Sequence, residues 1–319
     1  MFDYCLHIKI THFLMICITI TLFLTFFVAY FPLTDECNCP KETELNLLKH
    51  SSKQINGRSI TNEHRLAVLV PYRNRFEELL EFVPYIDTFL NNQNINHHVF
   101  ILNQVDSYRF NRASLINVGF RFVKNEYDYI AMHDVDLLPL NPKLSYQYPE
   151  KQPFHIASPE LHPKYHYPTF VGGILLINRE QFIQVNGMSN NYWGWGLEDD
   201  EFYVRLKDAK LNVSRPVDID SGTSDTFRHI HDKNHRKRDM TKCFNQREIT
   251  RKRDRITGLN NVIYQISAVK NCTIDGAPLT ILNIELSCNR KVTPWCDCSD
   301  ATASNIEKIT KTRKKKTKA

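Results

Sequence analysis

Several familiar signals are missing from this chain of 319 residues. No stretch reads G-x-G-x-x-G or G-x-x-x-x-G-K-[ST], so the glycine turn of a dinucleotide fold and the phosphate cradle of a P-loop are both missing. A nicotinamide dehydrogenase and a P-loop enzyme therefore find no support. No internal repeat is visible. A basic folded surface is missing too: Lys308 to Ala319 carry seven Lys or Arg and no acid, and the net charge of +6 becomes −1 once those seven are set aside. Nucleic acid is not an expected partner, because its binding needs basic residues clustered on folded surface. The tail itself reads as disordered, since like charges repel and bury nothing. Cys296 and Cys298 form C-x-C without a second pair at metal spacing, which favours disulfides in an oxidising compartment over zinc.

Charge is missing altogether from Ile10 to Thr34, and Phe13 to Leu33 give 21 mostly apolar residues. About 20 are needed to cross a bilayer as a helix. The stretch is expected to be a retained signal anchor rather than a cleaved signal peptide, whose apolar core is shorter. Lys9 and Lys41 flank it almost evenly, so the positive-inside count does not fix orientation. The sequons at Asn212 and Asn271, together with Cys272, Cys288, Cys296 and Cys298 near the C-terminus, place the bulk of the chain in the secretory lumen. Four cysteines allow three full pairings, and spacing does not choose among them.

What is present reads as a globular domain, 42% hydrophobic and 11% aromatic. Residues 1–9 form a short tail, 10–34 the anchor and 35–62 a polar stem; 63–298 form the domain, and 299–319 close the chain as a basic tail. Leu66 to Val70 make a buried strand ended by Pro71, and a helical segment with Leu79, Leu80, Phe82 and Val83 follows. "HHVFILNQ" is a second strand; Ala113, Leu115, Ile116, Gly119, Phe120 and Val123 then fit one helical face. "YDYIAMHDVDLLPL" is a third strand running into acids. This alternation is the signature of an α/β fold, a mostly parallel sheet with helices on both faces. Ligands of such sheets lie beyond the carboxyl ends of the strands, where "PYRNR" and "HDVD" sit.

Residues two apart in a strand face the same way, so Asp134 and Asp136 are expected to project together and suit a hard divalent cation and its diphosphate. His229 and His231 alternate likewise, and a His-x-His pair with one Asp makes a metal site with open positions. In "NNYWGWGLEDDEFYVRL", Gly194 and Gly196 permit close backbone approach, and Trp193 or Trp195 suits the apolar face of a sugar. Glu198, Asp199 and Asp200 would open a helix. A helix N-terminus favours acids in any case, but it does not account for the tryptophans and glycines beside them.

"FNR" at 110–112, "HDVD", "FVGGILLIN", "NGMSNNYWGWGLEDDE" and "HIHD", in this order and spacing over about residues 65–298, resemble the beta-1,4-galactosyltransferase family. "YHYPTFVGG", "HIHD" with "RKRD", and the closing "PWC" resemble the branch that adds the first galactose of the glycosaminoglycan linker. The resemblance implies a GT-A type nucleotide-sugar transferase fold behind one transmembrane helix, type II topology in the Golgi membrane, UDP-galactose as donor, Mn²⁺ as cofactor and xylosylated proteoglycan core proteins as acceptors. By matching position it implies Asp136, His229 and His231 as metal ligands. It gives donor contacts to Pro71, Arg73, Arg75, Phe110, Asn111, Arg112, Asp134, Val135, Tyr165, Trp195 and Arg238. Tyr167, Leu197, Glu198, Asp199 and Asp200 fall to the acceptor, with Asp199 as the catalytic base.

Two positions depart from the family pattern. Leu197 stands where the xylose-accepting branch often has Arg. Phe170 stands where many members have Tyr, a position that helps separate galactose from N-acetylgalactosamine donors; its ring bulk implies UDP-galactose still. An N-acetylglucosamine acceptor, N-acetylgalactosamine transfer, a sugar-binding remnant without turnover and a metallohydrolase remain as alternatives.

Overall fold

The computed structural model of the chain describes residue 12 and residues 15–26, 64–231 and 237–299. Residues 15–26 are helical and exposed; the remainder of the expected anchor and the whole expected stem lie outside the described residues. Among the described residues no helix is long and apolar enough to cross a membrane.

From Arg65 the chain alternates strand and helix: β1 (Arg65–Tyr72), α1 (Phe76–Asn92), β2 (Asn96–Gln104), α2 (Arg112–Val123) and β3 (Tyr129–His133). The strands read as continuous apolar runs because both of their faces are buried. Ala67 and Leu69 of β1, Phe100 and Leu102 of β2, and Ile130 and Met132 of β3 pack with α2 in one core. Their neighbours Leu66, Val68, Val99, Ile101, Tyr129 and Ala131 pack with Leu79, Phe82, Val83 and Ile86 of α1 in the other. Gly119 lets α2 approach the sheet closely: a Cβ there would lie 2.7 Å from Leu102 Cδ1.

Further along come β4 (Leu137–Pro139), β5 (Phe154–His155), β6 (Ile174–Asn178), α3 (Arg179–Gln184), α4 (Glu198–Asp208), β7 (Phe227–His229), α5 (Gln246–Ile249), β8 (Tyr264–Ile274) and β9 (Ala277–Leu286). Seven strands form one sheet in the order β5-β6-β3-β1-β2-β9-β8. The expectation of a mostly parallel sheet needs correction. Only β3, β1, β2 and β9 are joined by parallel pairings, while β3/β6, β5/β6 and β8/β9 are antiparallel. The parallel centre follows from helical crossovers. The β8/β9 edge is a hairpin turned by Asp275 and Gly276 at φ 49° and 83°, the handedness that two-residue hairpins require.

β2 and β3 flank β1 on opposite sides, so the winding reverses there and a crevice opens beyond the ends of β1 and β3. A separate ribbon pairs β4 with β7 in the register Leu137↔His229, which carries the end of β7 to the end of β3. The C-terminal cysteines do not pair among themselves as a set of four. Cys243 bonds Cys298 and Cys288 bonds Cys296, while Cys272 lies on β8.

Candidate active site

The crevice is a cavity of about 720 Å³. Its walls come from the segment after β1, the turn after β3, the 162–173 loop, the 194–200 loop with the start of α4, and residues 237–242. Every expected donor contact except Asn111 lines it, as do Tyr167, Phe170, Leu197, Glu198, Asp199 and Asp200. Asn111 is fully buried instead. Its side chain accepts from Ser114 N at 2.9 Å, capping α2, and donates to Asn190 O at 2.9 Å, so it positions Arg112 rather than meeting a ligand.

Strand alternation is not what aims the two aspartates. β3 ends at His133, and Asp134 to Asp136 form a turn. Asp134 faces Arg112, whose Nε donates to its Oδ1 at 2.8 Å. Asp136 faces β7: its Oδ2 lies 3.3 Å from His231 Nδ1 and 3.9 Å from His229 Nε2. Burial works against the Asp136 charge, but the His231 hydrogen bond and the charges of His229, Arg75 and His231 outweigh it and hold the carboxyl down at about 2. Burial pushes the His229 imidazole down to about 4. A carboxylate beside two imidazoles is a donor set that suits a divalent transition metal. As arranged, no group of three or more His, Cys, Asp or Glu among the described residues is placed to hold a metal. Lys164 Nζ lies 3.0 Å from both His229 ring nitrogens, and Arg75 Nη1 lies 2.8 Å from His231 Nδ1. By chemistry the carboxylate and two imidazoles fit such a cation, and Lys164 and Arg75 occupy the imidazole nitrogens instead.

Arg112 is the pivot of the floor. With its side chain 12% exposed, it spans from Asp134 to Asp199, its Nη1 donating to Asp199 Oδ1 at 2.9 Å. Burial opposes its charge, but Asp134, Asp199 and Glu198 outweigh burial and raise its proton affinity further. Burial raises Asp134, with repulsion from Asp136 and Asp199 adding to it against the pull of Arg112. Burial likewise lifts Glu198, with Asp199 adding to it, to about 7; its Oε2 is enclosed without a hydrogen-bond partner. Asp200 bonds Tyr167.

The two tryptophans of this loop do different jobs. Trp193 is 3% exposed and packs edge-on against Tyr108, whereas Trp195 is 39% exposed and lines the cavity. Arg238 stands over the rings of both Trp195 and Tyr165, at 5.1 and 5.9 Å. Lys242 Nζ donates to Trp195 O at 3.0 Å. Leu197, the residue before α4, is in the left-handed region at φ 76°.

Four neighbours of the site are given no role by the sequence motifs. Arg109 holds Asp239 (2.6 Å), Gln246 (2.8 Å), Thr241 O (2.7 Å) and Trp295 O (3.0 Å), tying residues 239–241 to the C-terminal turn. His162 packs edge-on against Phe170 at 5.1 Å. Lys164 reaches His229. Gly172 leaves room for Asp199, since a Cβ there would meet Asp199 Oδ2 at once and Phe170 Cε2 at 2.7 Å. None lies in a periodic or spaced pattern; only the Gly172-Gly173 pair carried a local signal.

A parallel-centred α/β sheet whose strand ends bear paired acids and a His-x-His, with a tryptophan and further carboxylates in the same crevice, defines a nucleotide-sugar transferase of the GT-A type. Comparison with known proteins agrees. Residues 37–149 match the family described as the N-terminal region of glycosyl transferase group 7, and residues 152–232 the N-terminal domain of galactosyltransferase. Beta-1,4-galactosyltransferase 7 of Drosophila melanogaster is 57% identical over 291 residues, 86% of this chain and 89% of that protein. The xylosylprotein 4-beta-galactosyltransferase of Caenorhabditis elegans is 51% identical over 241 residues, 74% of this chain and 83% of that protein. The crystal structure of the catalytic domain of Drosophila beta-1,4-galactosyltransferase 7 with xylobiose matches at TM-score 0.73 and 65% identity, covering 74% of this chain and all of that one. A mutant of that protein was crystallised with manganese, UDP-Gal and xylobiose, with the same TM-score, identity and coverage. The chain belongs to the beta-1,4-galactosyltransferase family.

Proposed function

We propose that this chain is an inverting transferase that moves galactose from UDP-galactose to the 4-OH of β-xylose on proteoglycan core proteins, forming the first galactose of the glycosaminoglycan linker. The observation that carries the reading is the placing of Asp199, held by Arg112, in one cavity with Trp195 and the Asp136 and His229 side chains. The relatives crystallised with UDP-Gal and xylobiose support the same donor and acceptor.

Asp199 accepts the proton of the xylose 4-OH, and the oxygen attacks the anomeric carbon from the face opposite the departing UDP. Arg112 keeps the Asp199 carboxylate aimed, and Gly172 keeps the space in front of it open. Trp195 and Tyr165, bridged by Arg238, cover the sugars and exclude water, which limits donor hydrolysis. Phe170, 4% exposed and wedged among His155, His162, Tyr165 and Tyr167, presents bulk where an N-acetyl group would project, and so favours galactose. Asp136, His229 and His231 would hold Mn²⁺, which supplies Lewis-acid stabilisation of the diphosphate leaving group.

Residues 10–34 serve as a signal anchor, with 35–62 as stem and the catalytic domain in the Golgi lumen. The uncharged N-terminal run and the two disulfides support that topology. Asn212 and Asn271 are both exposed, as glycan acceptors need to be.

The test offers the chain, in detergent with Mn²⁺ and UDP-galactose, a β-xyloside and a β-N-acetylglucosaminide side by side. A β1,4-linked product on xylose, with kcat lowered about 10²- to 10⁴-fold in Asp199→Asn, is the expected result. Transfer to N-acetylglucosamine alone would move the protein to another branch of the family.

A further inference from the structure

The proposed acceptor is a sugar carried on a polypeptide. The cavity takes in the sugar, so the flanking peptide has to cross its rim, and one side of that rim is uneven in charge. Residues 237–255 hold eight Lys or Arg against three Asp or Glu, a net +5, in a chain that is −1 without its tail. All three acids are already engaged. Asp239 takes the Arg109 Nε at 2.6 Å, and Asp254 takes Ser189 Oγ at 2.5 Å and Asn191 Nδ2 at 2.9 Å. Glu248 takes Lys252 at 2.8 Å.

Six of the eight bases are exposed, whereas Arg253 pairs with Asp208 and Arg238 stands over Trp195 and Tyr165. Lys237 and Lys242 line the cavity and are exposed; Arg247, Arg251 and Arg255 follow them along the chain and are exposed as well. Arg247 is near enough to Lys242 for its charge to add to the burial that lowers the lysine's proton affinity. Arg247 on α5 and Arg251 just after it lie one helical turn apart.

At the moment of transfer the acceptor glycan is a single neutral pentose, so an anionic group complementary to this rim has to come from the polypeptide. Resting on the acceptor reading above, we propose that Lys242, Arg247, Arg251 and Arg255 form a docking surface for acidic residues flanking the xylosylated position. The enzyme then selects among xylosylated proteins by peptide charge as well as by the sugar, through long-range attraction that acts on capture rather than on chemistry.

The experiment compares two synthetic β-xylosyl peptides of equal length, one with Asp and Glu beside the attachment and one with Ser and Gln, together with a free β-xyloside. Each is assayed with the 319-residue chain and with an Arg247→Glu/Arg251→Glu variant, from about 50 to about 300 mM salt. The acidic peptide should show a KM about tenfold below the neutral one at low salt, narrowing as salt rises. The double variant should lose that preference while keeping kcat on the free xyloside. Equal KM values for the two peptides, or a preference that survives charge reversal, would overturn the proposal. Turnover of the free xyloside with no response to peptide charge sinks this proposal alone; no turnover of the free xyloside sinks the acceptor reading and the proposal with it. Cosedimentation with phosphatidylserine vesicles, lost in the variant while the peptides behave alike, would reassign the rim to an anionic membrane surface.

Discussion

Replacing Gly172 by Ala tests the proposed base without touching it. Gly172 is outside the left-handed region, so an added methyl costs the backbone nothing in strain. What it meets is side chains: Asp199 Oδ2 first, and Phe170 Cε2 at 2.7 Å, where ordinary contact begins at 3.4 Å. The carboxylate has to retreat by about 1 Å, and its 2.9 Å bond to Arg112 lies on the other side of the same group. A displacement of that size at a reacting group lowers turnover by about 10²-fold, while overpacking at the edge of the core costs about 1–3 kcal/mol of stability. Gly196→Ala is the control, because Gly196 has φ 101° but nothing within 4 Å of an added Cβ, so it strains the loop without pushing the base. The assay is kcat on a β-xyloside, with UDP affinity and thermal unfolding measured alongside. Gly172→Ala keeping kcat within about twofold of the parent, in a folded and UDP-binding protein, would refute the placing of Asp199 as base.

Arg112→Lys keeps the charge but loses the fork that spans Asp134 and Asp199, so kcat should fall more than UDP affinity; equal losses in both would count against a role in aiming the base. The Glu198 carboxyl has its pKa raised from 4.5 to about 7, so the stability tied to its neutral form is full below about 4.5 and is lost as pH rises through 7. Glu198→Gln should therefore gain on the parent by roughly 3–5 °C in Tm between pH 5 and pH 7.5, and a gap that does not widen with pH would contradict that. The Cys243–Cys298 bond closes 55 residues and Cys288–Cys296 closes 8, so by chain entropy Cys243→Ser costs about 4 kcal/mol and Cys288→Ser about 2.5. Denaturant unfolding that ranks them the other way would show that contacts rather than chain entropy dominate.

Much of the fold was legible where local rules and burial agree. β1, β2, β3 and α2 announced themselves because a strand covered on both faces has to be apolar throughout, and a helix on a sheet has to present one stripe. The β8/β9 hairpin carries the strong signal of Asp275-Gly276 between alternating apolar residues. That β9 then adds parallel to β2 was not readable, because the pairing joins residues about 180 positions apart. In the site, motif residues were found by type and order, but the division of work among them was not. Nothing in "WGWG" says that Trp193 belongs to the core and Trp195 to the cavity; the left-handed φ of Gly194 and Gly196 decides it. Lys164 and Arg109 act across 65 and 130 residues, and no spacing rule reaches that far.

The same distances explain how one cavity can hold chemically opposed tasks. Proton abstraction from the acceptor wants a carboxylate, and a departing diphosphate wants cations, so both signs have to stay charged within a few ångströms without cancelling. Arg112 separates them. By bonding Asp134 on one side and Asp199 on the other, it draws two carboxylates into fixed positions on the floor, while Arg75, Lys237, Arg238 and Lys242 line the same cavity. Glu198, crowded by Asp199 and burial, carries the surplus by holding its proton to about pH 7. Neutralising any one of the three acids thus changes the field on the other two, so Asp134→Asn and Glu198→Gln combined should depart from the product of their separate effects on kcat. A double-mutant cycle that closes to within about 0.3 kcal/mol would mean the three carboxylates act independently, and the pivot assigned to Arg112 would have no role in coupling them.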